Sequence, residues 1–322
     1  MRIFLAGATG AVGKPLVRQL IARGHDVTAT TRSAAKAEAL RQLGVTAVII
    51  DGLDGAAVGE AVARAEPDAI IHQMTGVSGK PDFKNFDRWF APTNALRTVG
   101  TDNLLAAARA VGVKRFVAQS YTGWNNIREG GPAKSEDDPL DTSPPKALTE
   151  TLAAIQHLER SVTDAPLDGI VLRYGNFYGP GASEELVRMV QGRMMPILGG
   201  GTGIWSWIHV DDAAAAAVVA LERGSPGLYN IVDDQPAAVS EWLPYLAEVV
   251  GAKPPLRLPV WLGRLVVGEM LVRWMTEARG ASNAKAKREL SLELAWPTWR
   301  DGFRHGLVGQ EPVASPQFRA VA

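Results

Sequence analysis

Apolar positions along the first two-thirds of the chain follow two alternating rhythms. Short, dense runs rich in β-branched residues give way to longer stretches in which apolar residues recur every three or four positions. The short runs predict strands over 2–6, 27–31, 45–50, 69–71, 115–119 and 169–173. Between the first two, residues 11–23 place Val12, Leu16, Val17, Leu20 and Ile21 on one helical face, and Gly24 stops the helix. Ser33 caps a second helix running to Leu43. Further helices are predicted over about 54–65, 94–111 and 148–162. Residues 121–145 hold prolines, paired glycines and the acidic knot Glu136-Asp137-Asp138, and read as a solvated loop. This alternation predicts an α/β fold: a doubly wound, Rossmann-type parallel sheet with helices on both faces.

After Tyr174 the texture changes. Gly175, Gly179, Pro180, Gly181 and the run Gly199-Gly200-Gly201-Thr202-Gly203 break the rhythm, and proline joints and tryptophans follow. The expected organisation is a dinucleotide-binding domain over 1–175, rejoined by 204–235, with a smaller C-terminal substrate lobe from 176–203 and 236–318. Residues 258–275 carry Trp261, Leu262, Leu265, Val266, Met270, Leu271 and Trp274. Arg264, Glu269 and Arg273 interrupt them, so the stretch predicts core or pocket wall rather than a membrane span.

Composition narrows the classes. Lys and Arg number 34 and Asp and Glu 34, so there is no basic excess to attract nucleic acid. Cysteine is absent, which removes disulfides, thiolate metal sites and Cys nucleophiles together. The five histidines are scattered without ligand spacing, and no metal site is expected. The start is too short in apolar residues for a signal-peptide core, and a soluble, cytoplasmic protein is expected.

The first candidate for chemistry is Gly7-Ala8-Thr9-Gly10-Ala11-Val12-Gly13, between the first strand and first helix. Gly7 permits a sharp turn, Gly10 lets a phosphate approach the backbone, and Gly13 lets the helix lie close to the strand. The helix N-terminus then offers unpaired N–H groups to a pyrophosphate. At the end of the second strand stands Thr30-Thr31-Arg32-Ser33 instead of a carboxylate. An arginine fork and hydroxyls suit the 2′-phosphate of NADP better than the bare ribose of NAD.

Several stretches together resemble the extended and atypical short-chain dehydrogenase/reductase superfamily, its NAD-dependent epimerase/dehydratase branch most closely. They are the glycine turn, Asp51-Gly52, Asn94 with Gly100-Thr101-Asp102-Asn103-Leu104-Leu105, and Arg115-Phe116-Val117-Ala118-Gln119-Ser120. Leu172-Arg173-Tyr174-Gly175-Asn176-Phe177-Tyr178-Gly179-Pro180-Gly181, Ile208-His209-Val210-Asp211-Asp212-Ala213 and Asn283-Ala284-Lys285-Ala286-Lys287-Arg288-Glu289-Leu290 complete the set. The resemblance implies that Asp51 bonds the adenine with Gly52 and Leu53 beside it. Residues 72–75, Gln73 among them, would pass under the ribose and nicotinamide, with Asn94, Tyr174, Asn176 and Phe177 near the cofactor. It also implies that Asp211 or Asp212 caps a helix, and that Tyr178, Trp205 and Trp207 border an apolar or aromatic substrate.

One departure outweighs these agreements. Reduction in the superfamily usually relies on Tyr-x-x-x-Lys, the lysine lowering the tyrosine's pKa so that the phenol serves the substrate oxygen. Residues 141–160 contain no tyrosine. One register puts Thr142 and Lys146 at the two positions; the other, anchored on Glu159, puts Thr151 and Ile155 there. Tyr121, at the end of the fifth strand, is the candidate replacement acid, with Ser120 or Thr122 sharing the hydrogen bond and Lys146 a candidate for the ribose. The expected function is NADP(H)-dependent oxidoreduction at a carbonyl or hydroxyl carbon of a mid-sized organic molecule. The alternatives are an epimerase or dehydratase of sugar-nucleotide-like substrates that recycles its cofactor internally, and a dinucleotide-binding sensor without chemistry. The partner expected is a small molecule, neither nucleic acid nor membrane, and a homodimer is left open.

Overall fold

The computed structural model describes residues 1–77, 79 and 81–307. Seven strands form one parallel sheet: β1 (Arg2–Ala6), β2 (Asp26–Thr31), β3 (Thr46–Ile49), β4 (Ala69–His72), β5 (Arg115–Tyr121), β6 (Asp168–Tyr174) and β7 (Gly227–Ile231). Their order is β7-β6-β5-β4-β1-β2-β3. The chain winds outward from β1 to β3, then crosses back to β4, so a crevice opens between the carboxyl ends of β1 and β4.

Helices cover both faces, as the apolar stripes require. The helices α1 (Gly13–Ala22) and α2 (Ala34–Gln42) lie on one side. There Leu16, Val17 and Leu20 join Ile3, Leu5, Ala213 and Ala217 in one core. On the other side α3 (Gly55–Ala65) contributes Val58 and Val62, which meet Phe4, Ile70, Leu104 and Phe116. The fourth helix departs from expectation. It begins at Phe86 rather than Asn94 and has three parts: α4 (Phe86–Ala95), a π-helical turn over Leu96–Gly100, and α5 (Thr101–Val111). Pro92, which reads as a helix stop in sequence, sits inside α4. The helix α6 (Thr149–Thr163) packs beside it.

Beyond β6, Asn176–Tyr178 pairs with Trp207–His209 and Ile204–Trp205 pairs with Ala237–Ala238. The helix α7 (Glu184–Gln191) and the long α8 (Val210–Arg223) follow, α8 lying against α1. The remaining helices are α9 (Val239–Val249), α10 (Val260–Val267), α11 (Glu269–Thr276), α12 (Ala284–Leu290) and α13 (Trp299–His305). An aromatic core built on Trp205, Trp207, Trp242, Trp299 and Phe303 holds this part together. Within 258–275 the expectation divides. In α11, Met270, Leu271, Val272 and Met275 are buried, whereas α10 buries only Gly263 and leaves Trp261, Leu265 and Val266 exposed. Residues 308–318 of the expected lobe lie outside the described residues. No helix among the described residues is long and apolar enough to cross a membrane.

Candidate active site at the sheet's carboxyl edge

The glycine turn shows why each glycine is there. Gly7 has φ of +96°, and a Cβ on it would lie 2.5 Å from the Gln73 carbonyl. A Cβ on Gly13 would lie 2.3 Å from the Gly7 oxygen, so α1 reaches the strand only without one. Gly10 is exposed, and its Cβ would meet only the Gly7 oxygen, at 3.5 Å. No side chain caps α1 and no acid lies in its first turn. The donors of residues 11–13 and the open face of Gly10 fit a pyrophosphate, the Gly10 N–H itself being bonded to the Gly7 oxygen. Thr9 and Ala11 flank that face half-buried, while Val12 sends its side chain into the core and can offer only backbone.

Arg32 stands exposed past the end of β2, with no hydrogen bond or ion pair to another described residue. The hydroxyls beside it are engaged with backbone. Thr30 accepts from Gly7 N–H at 3.4 Å, Thr31 from Ser33 N–H at 3.2 Å, and Ser33 from Lys36 N–H at 3.4 Å. After β3, Asp51 is exposed and its Oδ1 accepts from Leu53 N–H at 3.0 Å. Gly52 packs so closely on Met74 that a Cβ would lie 2.4 Å from its sulfur.

The floor comes from β4 to β6. His72 is buried; its Nδ1 accepts from Met74 N–H at 3.2 Å and its Nε2 donates to the Leu96 carbonyl at 3.3 Å. Burial pulls its pKa down to about 4, so the ring is neutral. Gln73 donates from Nε2 to the Tyr174 hydroxyl at 3.4 Å, and its buried Oε1 has no partner among the described residues. Tyr174 donates in turn to the Ala213 carbonyl at 3.1 Å, and Phe177 lies against its ring at 5.3 Å. Tyr174 is therefore under the floor rather than on it.

Where the family dyad would stand, α6 turns Thr151 and Ile155 inward, both buried, whereas Thr142 and Lys146 are exposed ahead of the helix. The register anchored on Glu159 thus falls on buried positions of α6, and the other on exposed ones. Thr151 Oγ1 donates to Asp87 at 2.6 Å and accepts from Asn94 Nδ2 at 3.0 Å. Asp87 also accepts the Glu150 and Thr151 N–H groups at 3.0 and 2.8 Å, capping α6 from α4. Among the described residues no lysine or arginine side chain bonds to this network.

Of the candidate acids, Tyr121 is half-buried and donates to Asn176 Oδ1 at 3.1 Å; burial pushes its phenol far above the usual range. Its neighbours in sequence, Ser120 on β5 and Thr122 just past it, turn away. Ser120 donates to Glu159 at 2.7 Å, and Glu159 is also held by Arg173 through bonds of 2.8 and 2.7 Å. Thr122 is buried against the Asn126 amide at 3.1 and 3.2 Å. The expected sharing of a substrate bond by these hydroxyls is thus replaced by structural bonds, because alternate residues of β5 face opposite sides of the sheet. The expected substrate border is likewise interior: Tyr178, Trp205 and Trp207 are at most 3% exposed and pack on Trp242 and Phe303. Asp211 and Asp212 do not cap α8. His209 does, accepting from Asp211 N–H at 3.1 Å, while Asp212 accepts from the backbone of Ala295 and Trp296 at 2.8 and 2.9 Å.

Sequence reasoning overlooked Arg97. It lies in the π-helical turn, 5% exposed, with its guanidinium 5.2 Å over the Phe90 ring. The spacing that reveals it is simple: Arg97, Thr101, Leu104, Leu105 and Ala108 fall on one buried stripe, so a charge occupies a core position. Phe86, Trp89, Phe90 and Trp124 form an aromatic group beside it that the sequence reading also missed.

Comparison with known proteins gives this geometry relatives. Residues 3–232 match the model of the NAD dependent epimerase/dehydratase family. A Streptomyces protein named 3-diazoavenalumate denitrifying reductase is 41% identical over 309 residues, 94% of this chain and 99% of that one. A 2-alkyl-3-oxoalkanoate reductase of Stenotrophomonas maltophilia is 28% identical over 316 residues, 93% of this chain and 91% of that one. Among solved structures, the UDP-glucose 4-epimerase of Thermotoga maritima aligns with TM-score 0.74 and 21% identity, covering 95% of this chain and 97% of that one. A human epimerase family protein with NADPH aligns at 0.71 and 19%, covering 94% and 98%. At such identities the two structures speak for the fold.

Proposed function

We propose, for a chain that belongs to the NAD dependent epimerase/dehydratase family and is an NAD(P)-dependent oxidoreductase, a reduction whose acceptor needs no proton from the protein. The bound dinucleotide, when reduced, supplies a hydride. Hydride addition to a carbonyl leaves an alkoxide that must be protonated, which is the task of the usual tyrosine and lysine. Addition to the terminal nitrogen of an arenediazonium leaves a neutral diazene instead. That diazene loses N2 as its hydrogen passes to the ring carbon, and no outside proton is consumed. The observation that carries this reading is the α6 face, where Thr151 and Ile155 stand in place of the proton relay. The printed name of the 41% relative, a denitrifying reductase of a diazo compound, agrees with it.

The glycine turn and α1 would hold the pyrophosphate, and Asp51 and Gly52 would border the adenine. Arg32 would hold a 2′-phosphate, which favours NADP over NAD. Asn94, Gln73, Asn176 and Phe177 would line the nicotinamide end. The test supplies NADPH with 4-carboxybenzenediazonium carrying a heavy-nitrogen label, and follows nicotinamide absorbance and labelled N2 against an enzyme-free control. One N2 and one benzoate per dinucleotide oxidised is expected. Dinucleotide oxidation with ketones but none with the diazonium would overturn it.

A second reading keeps the carbonyl substrate, with Tyr121 as donor. It is favoured by the phenol's place beside Asn176 and by the 28% relative named for an oxoalkanoate.

A further inference from the structure

Arg97 is a cation without a counterpart. None of its guanidinium N–H groups meets an acceptor among the described residues, and Nη1 is fully buried without one. The acid within its electrostatic reach, Glu159, is already bonded by Arg173 and Ser120. His72, which Arg97 also influences, is neutral. The guanidinium therefore carries a positive charge that no described carboxylate bonds, and burying such a charge costs several kcal/mol unless a partner arrives. The guanidinium lies over Phe90, which stacks on Phe86 at 4.9 Å. Phe86 meets Trp124 at 6.1 Å, and Trp124 stacks on Tyr121 at 5.7 Å. A π-helical turn carries Arg97, a device that often re-aims a side chain at a functional position.

We infer that Arg97 binds an anionic oxygen of the substrate, a carboxylate or phenolate carried on an aromatic frame that lies among these rings. The cofactor's phosphates are not the anion in question, because the glycine turn and Arg32 that suit them belong to β1 and β2, whereas Arg97 stands beyond β4. Bonding from the planar fork to an oxyanion would be charge-assisted and bidentate. Arg97 thus selects aromatic anions, while the hydride acceptor lies elsewhere on the same frame. The inference rests on the preceding reading only in taking this cleft as the substrate site.

Equilibrium binding tests it without turnover. Full-length protein saturated with NADP+ is titrated with 4-nitrobenzoate, 4-nitrophenolate and the neutral 4-nitroanisole, each followed by its own absorbance. At least one anion is expected to bind about tenfold or more tightly than the anisole, and which one does so separates carboxylate from phenolate recognition. Arg97→Gln and Arg97→Met should erase the preference, and Arg97→Lys should keep part of it. Because the charge is unpaired, Arg97→Met should melt no lower than the wild type, whereas a structural arginine would leave a less stable variant. Equal binding of all three probes by the wild type, or an anion preference surviving in Arg97→Gln, overturns the inference. Anion selectivity without reduction of any diazo compound would leave it standing and overturn the reading of the reaction alone.

Discussion

Tyr121 donates to Asn176, and burial raises its pKa by more than the Trp124 N–H and the Arg97 guanidinium lower it. A phenol held so high is a weak acid and a good neutral hydrogen-bond donor. Tyr121→Phe is therefore expected to lower steady-state turnover by less than about threefold with cofactor affinity unchanged. A lost general acid would cost roughly 100-fold, so that larger drop would return the carbonyl reading to first place. Arg32 is the other residue on which a choice depends. Arg32→Ala should weaken NADPH by about 1.5–3 kcal/mol while leaving NADH nearly unaffected, as calorimetry with each nucleotide would show. Equal losses would remove the preference for the 2′-phosphate.

The helices show how local signals succeed and fail. Ser33 was readable as the cap of α2, and its hydroxyl does accept from Lys36 N–H. The cap of α6 was not readable, because Asp87 arrives from α4, 63 residues earlier in the chain. Asp87→Ala should destabilise the protein by about 1 kcal/mol in chemical denaturation, the usual worth of a lost cap, and release the Thr151 hydroxyl. An unchanged midpoint would mean that water replaces the carboxylate without loss. Likewise, 115–119 was readable as a strand, but β5 runs on to Tyr121 because β6 carries the pairing through Ser120–Arg173 and Tyr121–Tyr174. Propensity ends a strand at its apolar run; a neighbour of the right length extends it. The start of α4 was hidden by Pro92, although Phe86, Trp89 and Phe90 stand at helical spacing.

At the scale of the molecule, buried charges join separate parts. Glu159 on α6 binds Arg173 on β6 and Ser120 on β5, with 6% and 5% of the acid and base exposed. Glu159→Ala would strand the arginine and should cost about 3–5 kcal/mol of unfolding free energy. Asp212 fastens 295–296 to α8, and burial raises its pKa to about 6. The folded protein then holds a proton that the unfolded chain releases near 3.8, so this group's contribution falls as pH rises from about 4 to 6. His72 opposes it. Its folded pKa of about 4 lies below the ordinary 6.5, so its contribution grows over nearly the same window. Asp212→Asn removes only the first effect. Its stability relative to wild type should rise between pH 4 and 6 by on the order of 3 kcal/mol, measured by denaturation at each pH. A constant difference would mean that the carboxyl titrates at its ordinary value.

The sequence by itself determined the sheet and its covering helices, because strand and helix periods are local and the three glycines follow one another within a single turn. It also showed that no tyrosine–lysine pair stands at the usual spacing, since the lack of a tyrosine in 141–160 needs no structure to be noticed. Only the tertiary structure decided which side chains share the cleft. It buried Tyr178, Trp205 and Trp207 in a core, turned Ser120 and Thr122 away, and brought Arg97 beside Phe90 and toward Tyr121. Those outcomes depend on which face of each element meets a neighbour far away in the chain, and on whether a buried charge finds a partner there. Neither is encoded in any single stretch of residues.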